Sequence, residues 1–139
     1  MKCHRIYIAV LLLLTCTYSC KKEEGKGGNS SIIGNVIVKE FSDANFLDVY
    51  NEHNGFDEKV YIIYGGETGV GDNVTTSIDG SFEFKYLRKG DYKVYVVSKD
   101  SAHATPFYVP DTIFVKEVEI KEKKETVNAG TFYINKVLN

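Results

Sequence analysis

Apolar residues at every second position, punctuated by clusters of Gly, Asp and Asn, constrain this 139-residue chain more than any other feature. Phe82 and Phe84 share one parity, while Ser81, Glu83 and Lys85 take the other. After Arg88-Lys89-Gly90 the alternation resumes with Tyr92, Val94 and Val96 on one side. A helix buries residues at i, i+3 and i+4, so these stretches can bury a face only as strands.

The same reading extends along the chain. Strands are expected over residues 33–39, 59–64, 74–78, 80–86, 91–98, 112–122 and 126–134. Residues 59–64 alternate little, which predicts a central strand buried on both faces. Residues 41–57 are mixed and fit either one helical turn or an edge strand, closed by a turn at Asn54-Gly55. Asp79-Gly80 has the chemistry of a tight hairpin. Residues 65–73 and 99–110 are expected as loops. Phe114 and Lys116 share the parity of Val118 and Ile120, which predicts an edge or a bulge. In the last strand Val127, Ala129, Thr131 and Tyr133 oppose Asn128, Phe132 and Ile134. Short strands at this spacing predict an all-β fold, a seven-stranded antiparallel β-sandwich of one domain. No long helix is expected in this region.

The run from Gly80 to Val96 reads G-x-F-x-F-x-x-L-x-x-G-x-Y-x-V-x-V. It resembles the hallmark of the carboxypeptidase-regulatory-like, or transthyretin-like, sandwich domains. Ile33-Gly34-Asn35-Val36 is similar to the opening of those domains, and Val60-Tyr61-Ile62 falls where their second strand lies. The resemblance covers roughly residues 32–134 and implies a transthyretin-like or Ig-like sandwich, mostly structural in role, without implying an activity. The stretch 41–57 is longer than that family usually carries.

The N-terminus has the plan of a secretory signal. Lys2 and Arg5 precede an apolar run from Ile6 to Leu14, then the small polar residues before Cys20. That run is shorter than the roughly 20 residues of a membrane span. Ser19 followed by Cys20 resembles a bacterial lipoprotein cleavage site, which implies acylation of Cys20; Cys16 is the competing position. Lys21, Lys22, Glu23 and Glu24 resemble the lysine-then-acidic tag that sends some lipoproteins to the outer face of the outer membrane. The expected organisation is a signal over 1–19, a lipidated Cys with a flexible tether over 20–31, and the sandwich over 32–139.

Loss of Lys2 and Arg5 with the signal takes 17 basic side chains to 15 against 19 acidic ones, a net charge of −4. Nucleic-acid affinity rests on phosphate neutralisation, so no nucleic-acid partner is expected. Cys3 and Cys16 leave with the signal and Cys20 is acylated, so no disulfide or thiolate metal site is expected in the sandwich.

Little in the sequence carries chemistry. His53 lies near Glu52 and Asp57, and His103 near Asp100, with no zinc spacing. The glycines at 65, 66, 69 and 71 lack the Gly-Lys-Ser/Thr of a phosphate loop. Glu67, Asp72, Asn73 and Asp79 could supply oxygen ligands to calcium, but Asp79-Gly80 is more simply turn chemistry. Related sandwich domains of surface adhesins carry a Lys–Asn isopeptide crosslink; that resemblance implies Lys39 and Asn135 as the pair and an activating acid at position 96, where Val96 excludes it. Tyr61, Tyr95 and Tyr108 could face outward as a sugar-stacking platform, or serve as ordinary strand residues. Asp100-Ser101-Ala102 and Asp111-Thr112-Ile113 resemble a periplasmic O-glycosylation acceptor, which implies Ser101 and Thr112 as attachment sites.

The expectation is a lipid-anchored outer-membrane protein at the cell surface, with a structural or partner-binding sandwich and no enzymatic site, metal or cofactor. A glycan-binding accessory of a polysaccharide-uptake system and a fimbrial accessory subunit are the alternatives.

Overall fold

The computed structural model describes residues 24–138. Among them are eight strands and no helix: β1 (Lys26–Phe41), β2 (Val49–Asn54), β3 (Lys59–Tyr64), β4 (Asp72–Thr75), β5 (Ser81–Leu87), β6 (Gly90–Lys99), β7 (Asp111–Ile120) and β8 (Thr126–Val137). They form a sandwich of two sheets, so the all-β single-domain reading holds with one strand more than expected. The extra strand is β2, drawn from the mixed stretch 41–57 and exposed throughout. Its edge position explains why it carries no apolar alternation.

β1 organises the first sheet. One side pairs with β8 from Ser31 to Phe41. The other is shared end to end by β5, over the first half, and β2, over the second. The second sheet runs β4-β3-β6-β7. Two expectations are corrected. β1 and β8 run parallel, so the first sheet is mixed rather than antiparallel. β4 and β5 lie in different sheets, so Asp79-Gly80 turns the chain between layers instead of closing a hairpin. Gly80, at φ +78, donates its N–H to Ser77 O, and Asp79 Oδ1 accepts from Ser81 N and Oγ.

The core lies between the sheets. Ile32, Val36 and Val38 of β1, Phe82, Phe84 and Leu87 of β5, and Phe132 and Ile134 of β8 face Val60, Ile62, Tyr92, Val94, Val96, Val118 and Ile120. β3 buries Val60 and Ile62, while Tyr61 and Ile63 are only half-buried, so it is covered fully on one face and not on both. β7 forms an edge, as the parity of Phe114 and Lys116 predicts.

Two bulges set which residues face in. Between Ile32↔Phe84 and Ser30↔Leu87, β5 spends three residues against two of β1. Tyr86 takes φ +61 there, which returns Leu87 to the core beside Phe84. Between Ile33↔Asn128 and Asn35↔Thr131, β8 does the same, with Gly130 at φ +77. Val127 and Ala129 therefore pack against the core before the bulge, and Phe132 and Ile134 after it.

The described part of the expected tether, residues 24–31, is structured. β1 begins at Lys26, not near residue 32. Gly25 N–H donates to the Tyr92 hydroxyl at 3.1 Å, and Gly25 O accepts Arg88 N–H at 2.9 Å. Lys26 Nζ pairs with Asp72 at 2.6 Å.

Candidate binding surfaces

Strand directions give the sandwich two poles. Glu24 and Gly25, the 88–90 turn and the 121–125 turn lie together where β1, β6 and β8 begin. The 100–110 and 42–48 loops and Leu138 lie at the other end.

The far pole carries a projecting hairpin tip. Lys99 pairs with Asp111 at 2.9 Å, and Asp100 N–H donates to Pro110 O, so the β6–β7 ladder continues past the strands. Asp100 Oδ1 accepts Ala102 N–H at 2.9 Å, and Oδ2 lies 2.7 Å from His103 Nδ1. That contact with His103 holds the Asp100 carboxyl below its ordinary range. At the apex Thr105 and Tyr108 exchange backbone hydrogen bonds around Pro106-Phe107. Proline suits the first corner of such a turn because its φ is already fixed. The corner leaves Phe107 98% exposed and Tyr108 67% exposed. Leu47, 81% exposed, belongs to the 42–48 loop of the same end. The Thr105–Tyr108 bonds fix where the two rings leave the chain, so the backbone of the turn has little freedom to lose on binding.

The other tyrosines contribute less. Tyr61 and Tyr95 are register partners on the outer face of the second sheet. Their rings stack on one another with centroids 5.0 Å apart and planes 15° apart, so each covers a face of the other. Val97, Ile113 and Val115 continue this outer face as exposed apolar residues. The apex Phe107 was not singled out in the sequence; the Thr-Pro-Phe-Tyr order was the available signal.

The near pole is built around Tyr92 and Ser30. The Tyr92 ring is buried, its hydroxyl donates to Arg88 O at 2.7 Å, and burial pushes the phenol above its ordinary range. Ser30 Oγ donates to Glu122 O and accepts Glu125 N–H, both at 3.1 Å. Lys26 and Ser30 both pair with Leu87, so the residues between them lift off the ladder. A groove of about 400 Å³ opens there, with Arg88, Lys89, Lys123 and Lys124 around it and no acidic side chain in its lining.

Other expected sites are placed as follows. Cys20, Lys21, Lys22 and Glu23 lie outside the described residues. Glu24, the last residue of the expected tag, packs its side chain over Gly65 and Gly90. Ser101 is exposed on the far loop; Thr112 is half-buried in β7 opposite Ser98. His53 lies 3.5 Å from Glu40, away from His103. Asp72 is paired with Lys26 and Asp79 with Ser81, so these carboxylates are not brought together as calcium ligands. Among the described residues no three His, Cys, Asp or Glu side chains cluster as a metal site. Lys39 and Asn135 are register partners, but the Lys39 ammonium lies 3.5 Å from Glu52 and over the Tyr133 ring.

No protein-family model matches the chain. No curated protein matches it. Among solved structures it is similar to a Pseudomonas aeruginosa protein provisionally described as a carbohydrate binding protein, at 12% identity and a TM-score of 0.48, over 81% of this chain and 91% of that one. A likeness at that level assigns neither family nor ligand.

Proposed function

We propose that this chain is a non-catalytic binding module, anchored through acylated Cys20 at the cell surface, that meets its partner with the pole opposite the anchor. The observation that carries the reading is the placement of Phe107, 98% exposed on a bonded turn, at the end of the sandwich away from Gly25. Phe107 and Tyr108, adjacent on the turn, together expose aromatic surface that a partner could cover. The run from Gly80 to Val96 supports grouping the sandwich with the carboxypeptidase-regulatory-like domains.

A glycan partner is the second reading, favoured by the polar groups around the apex. Asp100, His103, Thr105 and the Tyr108 hydroxyl sit beside two aromatic rings, the pairing of stacking and hydrogen bonding that sugar rings use.

The experiment is retention of the protein on immobilised surface polysaccharide and on intact cells of its own species. The double variant Phe107→Ser, Tyr108→Ser should lose at least about ten-fold in affinity, as expected for central aromatic anchors. Its urea midpoint should not move, because both side chains are exposed. Unchanged retention of the variant on every surface that holds the parent would remove the far pole as the binding site.

A further inference from the structure

We propose that the free edge of β7 pairs with the same edge of a second copy of this chain, antiparallel about Ile113, and so joins two sandwiches by their far halves. This rests on the binding-module reading above and names the partner which that reading leaves open. Three observations carry it.

The first is an open ladder. β7 is the last strand of its sheet and pairs with β6 alone. Asp100 N–H donates to Pro110 O, so these two form a bonded pair, and bonded pairs recur at every second residue of an antiparallel ladder. Thr112, Phe114 and Lys116 therefore turn their N–H and C=O groups to β6. Asp111, Ile113 and Val115 turn theirs away, where no group among the described residues meets them. The neighbouring edge of the other sheet, β8, is closed. Lys116 Nζ covers Ala129 O and Thr131 O, and Ser98 Oγ accepts Asn135 N–H at 2.8 Å. A row of free groups at alternate residues is matched by another extended backbone.

The second is an unguarded stretch. Exposed edges are normally blunted by charge or by shortness. β2 carries Glu52 and His53, β5 carries Glu83 and Lys85, and β4 is four residues long. β7 divides in two. Lys116, Glu117 and Glu119 guard its second half. In its first half Ile113, Phe114 and Val115 follow one another at 55%, 45% and 46% exposure. Val97, the register partner of Ile113, continues the apolar surface. Asp111 is held by Lys99 at 2.9 Å.

The third is self-complementarity, which a two-fold pair demands because each copy meets the other with the same patch. Centred on Ile113, the register sets Ile113 against Ile113, Thr112 against Phe114 and Asp111 against Val115 of the second copy. No charge then meets a like charge. Centring on Phe114 would set Asp111 against Glu117, and centring on Val115 would set it against Glu119. Because β7 starts at the far pole, the pairing overlaps the far halves and sends the two near poles to opposite ends. The two Ile120 residues come to lie about 45 Å apart along the strands. With the anchor proposed above, paired copies stand on facing surfaces, not side by side in one membrane.

The test uses the chain secreted from its own cells with Cys20→Ala, followed by sedimentation velocity from about 1 µM to about 300 µM. The dimer fraction should rise with concentration, with nothing larger formed. Ile113→Lys and Ile113→Glu should each weaken pairing at least about ten-fold, since each sets like charges face to face at the two-fold axis. Their urea midpoints should match the parent's, because Ile113 is exposed. Mixed together, the two variants should pair again, which a folding defect would not allow. A parent that stays monomeric throughout would overturn the second copy as occupant. A dimer indifferent to both substitutions, or lost in both and not restored by mixing, would overturn the register about Ile113. The acylated chain should also cluster phosphatidylcholine vesicles and its Ile113→Lys form should not; dimers in solution without clustering would overturn the facing-surface arrangement. A monomeric parent whose retention on cells still falls with Phe107→Ser, Tyr108→Ser would leave the binding-module reading standing without the edge pair. A dimer whose retention ignores that double variant would keep the edge pair and remove the aromatic tip as the binding site.

Discussion

Tyr92 does two jobs with one side chain. Its ring fills the core next to Tyr64, edge to face at 6.0 Å. Its hydroxyl, at the end of that ring, receives Gly25 N–H and donates to Arg88 O, which fastens the start of the chain to the 88–90 turn. Tyr92→Phe keeps the ring and strips both bonds. It should cost about 1–3 kcal/mol in a urea titration, and hydrogen exchange should show residues 25 and 26 opening more often while β6 stays protected. A loss below about 0.5 kcal/mol would mean water replaces the hydroxyl fully. Much at this scale was legible from sequence. Phe82, Phe84, Tyr92, Val94 and Val96 face the core as period two requires, and the hydroxyl of Tyr92 finds backbone as a buried phenol must. Phe107 was not legible, because nothing local tells an aromatic held outward from one folded inward.

At the scale of elements, Lys116 closes a seam. It lies on the inward parity of an edge strand, where an apolar residue would be expected. Its ammonium instead crosses to β8, donating to Ala129 O and Thr131 O at 3.0 and 2.8 Å on either side of Gly130, and rests 4.6 Å from the Phe132 ring. Two carbonyls that the bulge leaves facing outward are thereby satisfied. Lys116→Met should cost about 1–3 kcal/mol in stability, and light scattering should detect association through the uncovered β8 edge. Sequence reasoning flagged an irregularity at this lysine but could not name its partner, which lies in the other sheet. The bulges at Tyr86 and Gly130 were hidden for a related reason. Each adds one residue to a strand and so reverses the parity on which strand reading depends. Parallel pairing of β1 with β8 is likewise a property of two strands far apart in the chain.

The 121–125 turn carries a pH signature. Backbone N–H groups of Glu122 and then Lys121 hold the Glu125 carboxyl below its ordinary value of 4.5. A carboxyl depressed by folding adds stability above its unfolded value, and that stability is lost as pH falls through the folded one. Asp72, Asp79 and Asp100 are depressed as well, by Lys26, Ser81 and His103 respectively. The urea midpoint should therefore stay level through neutral pH and decline below about pH 4.5. Glu125→Gln should shrink that decline, and an equally steep fall in the variant would place the acid sensitivity elsewhere.

At the scale of the molecule, the sandwich has two unlike poles: the described chain starts at one, bonded to Tyr92 and the 88–90 turn, and the aromatic tip of the β6–β7 hairpin stands at the other. Its sheets and core could be anticipated; its polarity could not, since that needs the directions of β1, β6 and β8 together. Cys20→Ala should free the protein from membranes with its fold unchanged, read by fractionation and circular dichroism. Continued membrane attachment of that variant, with release by Cys16→Ala, would move the anchor to Cys16. Replacing Lys22 and Glu23 by Ala tests the export tag without disturbing Glu24, which packs against the sandwich. The altered protein should stay in the membrane fraction and become resistant to protease added outside the cell.

The side-by-side course of β1 and β8 has a mechanical consequence. Both run from the Gly25 pole toward the far one, so residues 24 and 138 lie at opposite ends of a hydrogen-bonded pair. Tension between residues 24 and 138 loads that pair lengthwise. Its bonds must then yield together, as in a lap joint under shear, and cannot peel one by one. Pulled between residues 24 and 138 in a force microscope, the domain should resist in a single high peak. Pulled apart between β6 and β7, it should yield at lower force, and the reverse order would show that the load travels by another path.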